Sequence, residues 1–462
     1  MSSQTSSLLL AFYGDDFTGS TDALECMSRA GARTVLFIEP PAPEQIAAYE
    51  GVQAIGVAGF SRSLSPEAME VCLRPAFEAL KALQPRHVHY KVCSTFDSSP
   101  EIGSIGKAME IGAEVFDSAW IPLLVAAPAL GRYCAFGNLF ARMGIGSQGQ
   151  IHRLDRHPSM RVHPITPATE SDLRLHLAKQ TSRKTGLVDL LQLAQPEVDR
   201  TLQRLVKEGF ETILMDALYE EQMPKIGELI DNSTTGEKPL FSVGSSGIEM
   251  ALGSYWQVQG PLTERKSWTP IPNDGPILVI SGSCSPVSAQ QIAWAEQHGF
   301  ASIDVDTTAV ATQPNDVSVL QKTIGEAIDK LAGGQSVIVQ TSNCNDDPRI
   351  DRATRILGSQ GYTPAQIRTL TGQIFGKALG RIAKEVFRSV PLTRLVVAGG
   401  DTSSYAARAM GIEAVEMLAP LTPGAPICLA HAPGSPLDQK QIIFKGGQVG
   451  AENYYGWAAG NL

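Results

Sequence analysis

Two adjacent carboxylates, Asp15 and Asp16, stand in a short polar turn that follows the apolar run 8–12 and precedes a helical pattern. This order predicts a strand, a loop and a helix, and open α/β sheets bind their ligands at the carboxyl ends of the strands. The turn has the glycine spacing of a phosphate-binding loop, but Ser20 occupies the lysine position. Because two aspartates would repel a phosphate, the turn is better suited to holding a metal ion or to accepting a substrate hydroxyl proton. An Asx-turn in which Asp15 or Thr18 caps the helix is equally compatible with the pattern.

Two cations stand at the ends of other predicted strands. Arg62 lies shortly after the strand predicted at 52–58, and Lys91 lies at the end of the next one. At the same sheet edge as the acidic turn, Arg62 could grip a substrate carboxylate bidentately and Lys91 could support it. Asp16 is then our candidate for the base, with Asp15 as its partner or as a metal contact. The alternative is that both cations are merely solvated loop residues.

Three turns of small residues follow predicted strands in the second half, at 281–285, 399–404 and 445–450. The glycines Gly399 and Gly400 would let backbone amides approach phosphates, and Thr402 adds a hydroxyl at the start of a helix. With Gly446, these residues would hold ATP, and a magnesium ion would bridge its phosphates. The alternative is three tight turns without a ligand. One domain would then supply carboxylates and cations, and the other would supply glycine turns. Phosphoryl transfer from a nucleotide to a small acid, in a cleft between two domains, requires such a combination.

Composition excludes several classes of protein. The chain has 462 residues, enough for two or three domains, and a net charge of -9, which argues against a nucleic-acid-binding surface. Its seven cysteines show no CxxC spacing, which predicts reduced, mostly buried thiols. No membrane span and no signal peptide is predicted, so we expect a cytoplasmic protein that binds a small-molecule acid. The oligomeric state stays open, with a homodimer as one candidate.

The pattern along the chain predicts an α/β fold with two domains, each a mostly parallel β-sheet flanked by helices, and an active site in the interdomain cleft. The proline-rich segment 257–276 predicts a linker between an N-terminal substrate-binding domain, 1–256, and a C-terminal nucleotide-binding domain, 277–462. Residues 131–167 are weakly periodic and predict a long irregular, functional segment. An apolar stripe predicts a long helix at 364–390. The runs 427–430 and 442–444 predict a closing hairpin or edge strands. The other predicted strands lie at 34–38, 52–58, 88–92, 121–126, 212–215, 240–243, 277–280, 302–305, 336–340, 394–398 and 414–417.

With these residues in view, the chain resembles the four-carbon acid sugar kinase family over nearly its whole length. The motifs that carry the resemblance are 15–19, 91–98, 244–247, 281–283, 399–402 and 445–450. The resemblance implies a substrate domain, an ATP domain and phosphorylation of acid sugars such as threonate, erythronate or 3-oxo-tetronates, with branched 3-oxo-isoapionate for some members. It implies substrate contacts by Asp16, Arg62, Lys91, Val92, Cys93 and Ser94. It implies ATP contacts by Ser281, Gly399, Gly400, Asp401, Thr402 and Gly446.

Two departures from the family pattern bear on the substrate. Similar kinases carry Gly-Asn-Ile-Gly after the Lys-Ser-Thr stretch, where this chain has Gly103-Ser104-Ile105-Gly106, and they end in Gly-Asn-Phe-Gly, where this chain has Gly-Gln-Val-Gly at 447–450. The second exchange keeps the glycines of the turn. The first lies near the expected substrate, so the exact acid stays open, and a less common acid, including a branched 3-oxo acid, is a candidate.

Three rival interpretations are distinguishable. An NAD-dependent dehydrogenase would need a GxGxxG fingerprint after the first strand, and this chain lacks it. A haloacid-dehalogenase-type phosphatase would need an Asp-x-Asp-x-Thr spacing, which residues 15–18 do not have. A non-catalytic acid-binding protein of the solute-binding type should carry an export signal. The sequence assigns no metal ligands and does not decide between Asp15 and Asp16 as the base.

Overall fold

The structure, a computed structural model, describes residues 8–143, 149–163, 165–273, 275–344 and 346–460, with only the backbone described at 365 and 401. The chain divides into two compact units between Lys266 and Ser267. The predicted fold class is confirmed, since each unit holds a mostly parallel sheet flanked by helices. The two units are described in turn.

The first unit alternates strands and helices. Its strand β1 is buried at all five residues, as expected for a parallel strand covered on both faces. The helix that follows is capped by Asp16 at its start and by Gly31, with φ +101°, at its end. In chain order the elements are β1 (Leu10–Gly14), α1 (Phe17–Ala30), β2 (Thr34–Phe37), α2 (Pro43–Ile46), β3 (Ala54–Ala58), α3 (Pro66–Ala82), β4 (His87–Lys91), α4 (Ile105–Phe116), β5 (Ile121–Leu124), β6 (Arg132–Ala135), β7 (Asn138–Arg142), β8 (Ile151–Arg153), α5 (Leu173–Leu177), β9 (Thr185–Val188), α6 (Leu190–Leu193), α7 (Val198–Lys207), β10 (Thr212–Met215), α8 (Met223–Asp231), β11 (Leu240–Gly244) and α9 (Gly247–Gln259).

The main sheet of this unit has the order β2-β3-β1-β4-β11-β5-β10-β9, and its strand pairs are parallel. The chain leaves β1 to build β2 and β3 on one side and then returns to build β4 on the other. This reversal makes a topological switch point between β1 and β4, where crevices for ligands form. The last strand, β11, is inserted between β4 and β5.

The segment 131–167 is partly regular, which corrects the prediction of a long irregular stretch. Strands β6, β7 and β8 form a small antiparallel sheet within it, followed by two single turns of 3₁₀-helix. The burial of β6 and β7 alternates residue by residue, because one face is covered and the other is open. Prolines and glycines around these short strands obscured the alternation in the sequence.

The second unit begins with a buried four-residue strand and ends with a short helix. Its longest helix, predicted at 364–390, is confirmed, with Thr363 and Gln366 forming a capping box at its start. In chain order the elements are β12 (Leu278–Ser281), α10 (Pro286–Gln297), β13 (Ala301–Asp304), α11 (Thr307–Thr312), α12 (Gln321–Ala332), β14 (Val337–Gln340), α13 (Pro348–Ser359), α14 (Pro364–Ser389), β15 (Arg394–Ala398), α15 (Gly400–Met410), β16 (Ala414–Thr422), β17 (Ala425–His431), β18 (Gln441–Lys445) and α16 (Tyr454–Ala459).

Within the second unit the strand order is β13-β14-β12-β15-β18-β17-β16. The first five strands of that order are parallel, and β17 is antiparallel to both of its neighbours, β18 and β16. A switch point lies between β12 and β15. Strands β17 and β18 cover the runs predicted at 427–430 and 442–444 and pair antiparallel, as expected for the predicted closing hairpin. Strand β18 lies between β15 and β17, so the alternative that 442–444 is an edge strand is wrong.

Side-chain burial tests the expectation about the cysteines. All seven cysteines lie in the described part of the chain and none forms a disulfide, but only Cys134 and Cys428 are buried, so the prediction of mostly buried thiols is wrong. On β4, His87 and His89 are fully buried and lie against the carboxylates of Asp231 and Glu249, at 2.9 and 2.7 Å.

Candidate active site

The acidic turn at the end of β1 holds Asp16 firmly. Its Oδ1 accepts a hydrogen bond from the Gly19 amide at 3.0 Å, and its Oδ2 accepts bonds from Thr18 Oγ1 and Arg62 Nη2, both at 2.9 Å. Burial raises the pKa of this carboxyl, but the charges of Arg62 and Lys91 and these hydrogen bonds outweigh that effect, so its pKa is lowered overall. Asp16 is therefore an ionised helix cap and counter-ion, and it has little capacity left to take a proton.

Asp15 stands in a different environment. The residue is 2% exposed, and its Oδ1 is buried without a hydrogen-bond partner among the described residues. Burial raises the pKa of Asp15 to about 7, and the lowering effect of the Arg62 charge is partly offset by the charge of Asp16. A carboxylate with a pKa near neutrality and a free acceptor oxygen is suited to general-base chemistry.

Lys91, the last residue of β4, supplies a buried cation beside the turn. Its Nζ lies 3.8 Å from Asp22 Oδ2, and Asp22 in turn accepts a hydrogen bond from Ser246 Oγ. Burial lowers the pKa of Lys91, but the charges of Asp22, Asp16 and Asp15 outweigh it, so the pKa is raised and the ammonium stays charged. A Cβ at Gly19 would lie 2.9 Å from Lys91 Nζ, so the missing side chain is what lets the ammonium approach the turn.

The three predicted substrate-binding residues that follow β4 differ in how far their side chains are accessible to a ligand. Val92 is fully buried and its amide donates to the Gly244 carbonyl at 2.7 Å, so it positions the loop and offers no side chain to a ligand. Cys93 and Ser94 are half-buried, and Cys93 Sγ lies 3.0 Å from Thr95 Oγ1. Burial raises the pKa of the Cys93 thiol to about 11, so it is neutral at physiological pH.

Three residues near this turn were not singled out from the sequence. They are Asp22 on α1, Asp97, whose buried Oδ1 has no partner among the described residues, and Arg132 at the start of β6. The signal for Arg132 was available, since Gly131 and Arg132 follow the end of β5 at the same edge of the sheet.

In the second unit, the three small-residue turns meet at one cleft of about 580 Å³, a volume in the usual range for a ligand site. Gly282 and Ser283 line it from the first turn, Gly399, Gly400 and Thr402 from the second, and Gly447 and Gln448 from the third. The cleft lies at the switch point between β12 and β15.

Close packing and backbone conformation explain why glycines occupy the turns that line the cleft. A Cβ at Gly282 would lie 2.6 Å from Thr402 Cγ2, and one at Gly447 would lie 2.7 Å from Ser283 Oγ. Gly399 has φ +130°, a conformation that residues with a side chain rarely adopt. The turns can therefore present backbone amides to a ligand only with glycine at these positions.

Of the six residues predicted to bind the nucleotide, three line the cleft. Gly399, Gly400 and Thr402 line the cleft, whereas Ser281 and Gly446 each precede a lining residue and do not line it themselves. Ser281 is fully buried and its carbonyl accepts from the Thr341 amide at 3.0 Å. Asp401 lies in α15, and its side chain is outside the described part of the structure.

Charge in the cleft favours an anionic ligand. Helices α10, α13 and α15 start at it, so their positive ends face the same volume. Arg349, at the start of α13, lines it too and is held by Asp347 at 2.6 Å and Asp304 at 3.1 Å. Apolar side chains of Ile350, Ile367 and Phe375 form another part of the lining. Phosphates and a flat aromatic base would suit the two parts, so the residues present fit ATP.

No metal cage accompanies these sites. Among the residues that the structure describes, no group of three or more His, Cys, Asp or Glu side chains is placed to hold a metal ion.

Family models match both units. Residues 10–252 match a model described as a sugar-binding N-terminal domain, and residues 278–455 match one described as a nucleotide-binding C-terminal domain. The chain belongs to the four-carbon acid sugar kinase family. As a member of that family, the protein is a sugar-acid kinase, and kinase activity of this type uses ATP.

Relatives of this kinase match over nearly the full length. A 3-oxo-isoapionate kinase of Paraburkholderia graminis is 41% identical over 450 residues, covering 97% of this chain and 93% of the relative. A 3-oxo-tetronate kinase of Pseudomonas savastanoi pv. phaseolicola is 28% identical over 459 residues, covering 98% and 97%.

Solved structures share the fold of the kinase. A protein of Salmonella typhimurium LT2 superposes with a TM-score of 0.73 at 24% identity, covering 98% of both chains. A Haemophilus influenzae protein superposes with a TM-score of 0.68 at 21% identity, covering 98% of this chain and 100% of the other. In the described part of the kinase, none of the helices combines the length and the apolar character that a bilayer crossing would need.

Proposed function

We propose that this kinase transfers the γ-phosphoryl group of ATP to a hydroxyl of a small 3-oxo sugar acid, and that the acid is branched, of the 3-oxo-isoapionate type. The relative named for that acid is 41% identical, whereas a relative named for the unbranched 3-oxo-tetronate is 28% identical. Since ATP is supplied in the cytoplasm, we place the reaction there.

The observation that carries the chemistry is the unpartnered, buried Oδ1 of Asp15 at the switch point of the first sheet. In the proposed step, the substrate hydroxyl gives its proton to Asp15 while its oxygen bonds to the γ-phosphorus. The bond from that phosphorus to the bridging oxygen breaks, and ADP leaves with the electron pair. Asp15 rather than Asp16 takes the proton, because Asp16 is already paired with Arg62 and capped onto α1.

For the nucleotide, we propose that the amides of Gly282, Gly399, Gly400 and Gly447 contact the phosphates and that Arg349 neutralises part of their charge. Magnesium usually keeps several waters and binds phosphates with one or two protein ligands, so it needs no preformed cage. Thr402 lines the cleft and could offer its hydroxyl to the ion. The reaction itself requires the bound nucleotide and the acceptor hydroxyl to come within bonding distance during turnover.

The test is an assay of ADP formation with ATP and magnesium across 3-oxo-isoapionate, 3-oxo-tetronate, threonate and erythronate. The phosphorylated product is identified by mass. We expect the highest kcat/KM with the branched 3-oxo acid, and we expect Asp15→Asn to be nearly inactive while it binds ATP normally. Turnover of threonate or erythronate above both 3-oxo acids would overturn the proposed substrate class. Thermal stabilisation by NAD in place of ATP would favour a dehydrogenase and overturn the proposal as a whole.

A further inference from the structure

We propose that Arg132, and not Arg62, binds the carboxylate of the sugar acid. This inference rests on the proposed function and assigns the part of the site that selects an acid over a neutral sugar. It follows from three features: the ion pair that Arg62 makes with Asp16, the unfilled hydrogen-bonding capacity of Arg132, and the unpartnered acceptor atoms of Asp15 and Asp97.

Arg62 already has a carboxylate partner. Its Nη2 donates to Asp16 Oδ2 at 2.9 Å, and Asp15, Asp16 and Asp97 are among the charges that act on it. A further carboxylate at Arg62 would compete with Asp16 and would enter a region that already carries negative charge. The geometry therefore suits Arg62 to holding Asp16 in place.

Arg132 is a buried cation without such a partner. The residue is 6% exposed, and among the described residues no carboxylate lies within ion-pair distance of its guanidinium. Its Nη1 donates to the carbonyls of Leu130, Gly131 and Arg142 at 3.2 to 3.3 Å, which fixes the orientation of the planar group. Its Nε is buried and has no hydrogen-bond partner in the described part of the chain. Burying a charge without a partner is costly, and a ligand carboxylate at Nε would relieve that cost.

Arg132 follows the carboxyl end of β5, which is parallel to β11, β4 and β1, so it lies at the same edge of the sheet as the acidic turn. Ala127 and Arg132 exchange two hydrogen bonds, at 3.0 and 3.1 Å, which close a tight turn directly after β5. Burial lowers the pKa of the Arg132 guanidinium, and the charges of Asp97 and Asp22 oppose this effect. These two carboxylates follow β4 and β1, so Arg132 is electrostatically coupled to the candidate substrate site.

The unpartnered atoms match the chemistry of a polyhydroxy acid. Arg132 Nε is a charged donor, which suits a carboxylate, whereas Asp15 Oδ1 and Asp97 Oδ1 are acceptors, which suit hydroxyl groups. The neutral Cys93 thiol, in the loop after β4, offers only a weak donor, so it would tolerate a carbonyl or a carbon branch.

The experiment compares the acid with its carboxamide, which has the same hydroxyls and no charge. Arg132→Gln and Arg132→Lys are measured beside Arg62→Gln, with Arg153→Gln as the matched control, since Arg153 is on β8 of the same small sheet and pairs with Asp155 at 2.6 Å. We expect Arg132→Gln to lower kcat/KM for the acid about 100-fold, mainly through KM, and to leave that for the carboxamide within about 3-fold. The control should keep the wild-type preference for the acid.

The proposed function and the role of Arg132 can be refuted separately. If the wild-type enzyme phosphorylates no sugar acid, the proposed function falls before Arg132 is tested. If the wild type is active and Arg132→Gln lowers acid and carboxamide equally, or if Arg62→Gln alone loses the preference for the acid, the inference is overturned. Should the Arg132 variants fail to fold, a structure of the wild type with the acid decides: a carboxylate beyond hydrogen-bond distance of Arg132 refutes it.

Discussion

The backbone amide of Asp15 donates to the carbonyl of Lys91 at 2.8 Å. This bond extends the pairing of β1 with β4 one residue past the strands and fixes the acidic turn against the loop that carries Cys93. The turn needs no side-chain contact from Asp15 to keep its place, so the carboxylate of Asp15 is left available for a ligand.

Asp15→Asn should lower kcat about 100- to 10,000-fold, the range that a positioned general base supplies, while the affinity for ATP stays unchanged. Because the pKa of Asp15 is about 7 and the base must be ionised, kcat/KM of the wild type should fall tenfold per pH unit as the pH drops below 7. A pH–rate profile and nucleotide calorimetry check both. If the Asn variant shows the same fall in kcat/KM below pH 7 (the acid limb of the profile), Asp15 is not the base.

Arg62→Met should move that acid limb to higher pH. The Arg62 charge lowers the pKa of Asp15, so its removal leaves burial and Asp16 to raise it further, by about one pH unit or more. Arg74→Met is the matched control, because Arg74 is a surface arginine that pairs with Glu70 and Glu114. The profile is measured with saturating ATP, and an unmoved limb in the Arg62 variant contradicts the coupling.

Gly282→Ala should weaken nucleotide binding about tenfold or more, because the added Cβ collides with the Thr402 side chain in the cleft. The KM for the sugar acid should change little, since Gly282 is remote in sequence from the acidic turn and lies in the other unit. Gly358→Ala is the control, since no atom lies within 4 Å of a Cβ built there. Calorimetry with ADP measures both, and equal affinities would show that the turn does not bind the nucleotide.

Lys445→Met should stabilise the second unit near pH 7. Burial lowers the pKa of Lys445 from 10.5 to about 7, so between these values the unfolded chain holds a proton that the folded chain has lost. Stability of the wild type should therefore rise with pH across this window, by at most about 1.4 kcal/mol per pH unit. Thermal unfolding at pH 7 and pH 9 tests this. The methionine variant should lose that part of the pH dependence, and an unchanged slope would contradict it.

The sequence predicted the strand-to-helix turns well, because an apolar run followed by glycines has few structural alternatives. It could not separate Asp15 from Asp16, since the difference depends on which carboxylate Arg62 reaches from 46 residues away. It missed the sheet of β6, β7 and β8, whose strands are only three to five residues long. Arg132 was overlooked although it follows the end of β5, because its burial depends on that small sheet and is not visible in the local sequence pattern.

Each sheet receives its final strand in its middle: β11 enters between β4 and β5, and β18 enters between β15 and β17. During synthesis on the ribosome, each sheet therefore has an open slot until nearly all of its unit has emerged. The flanking strands would expose unpaired edges during that interval, and chaperone capture of nascent chains should peak just before residues 240 and 441 leave the exit tunnel.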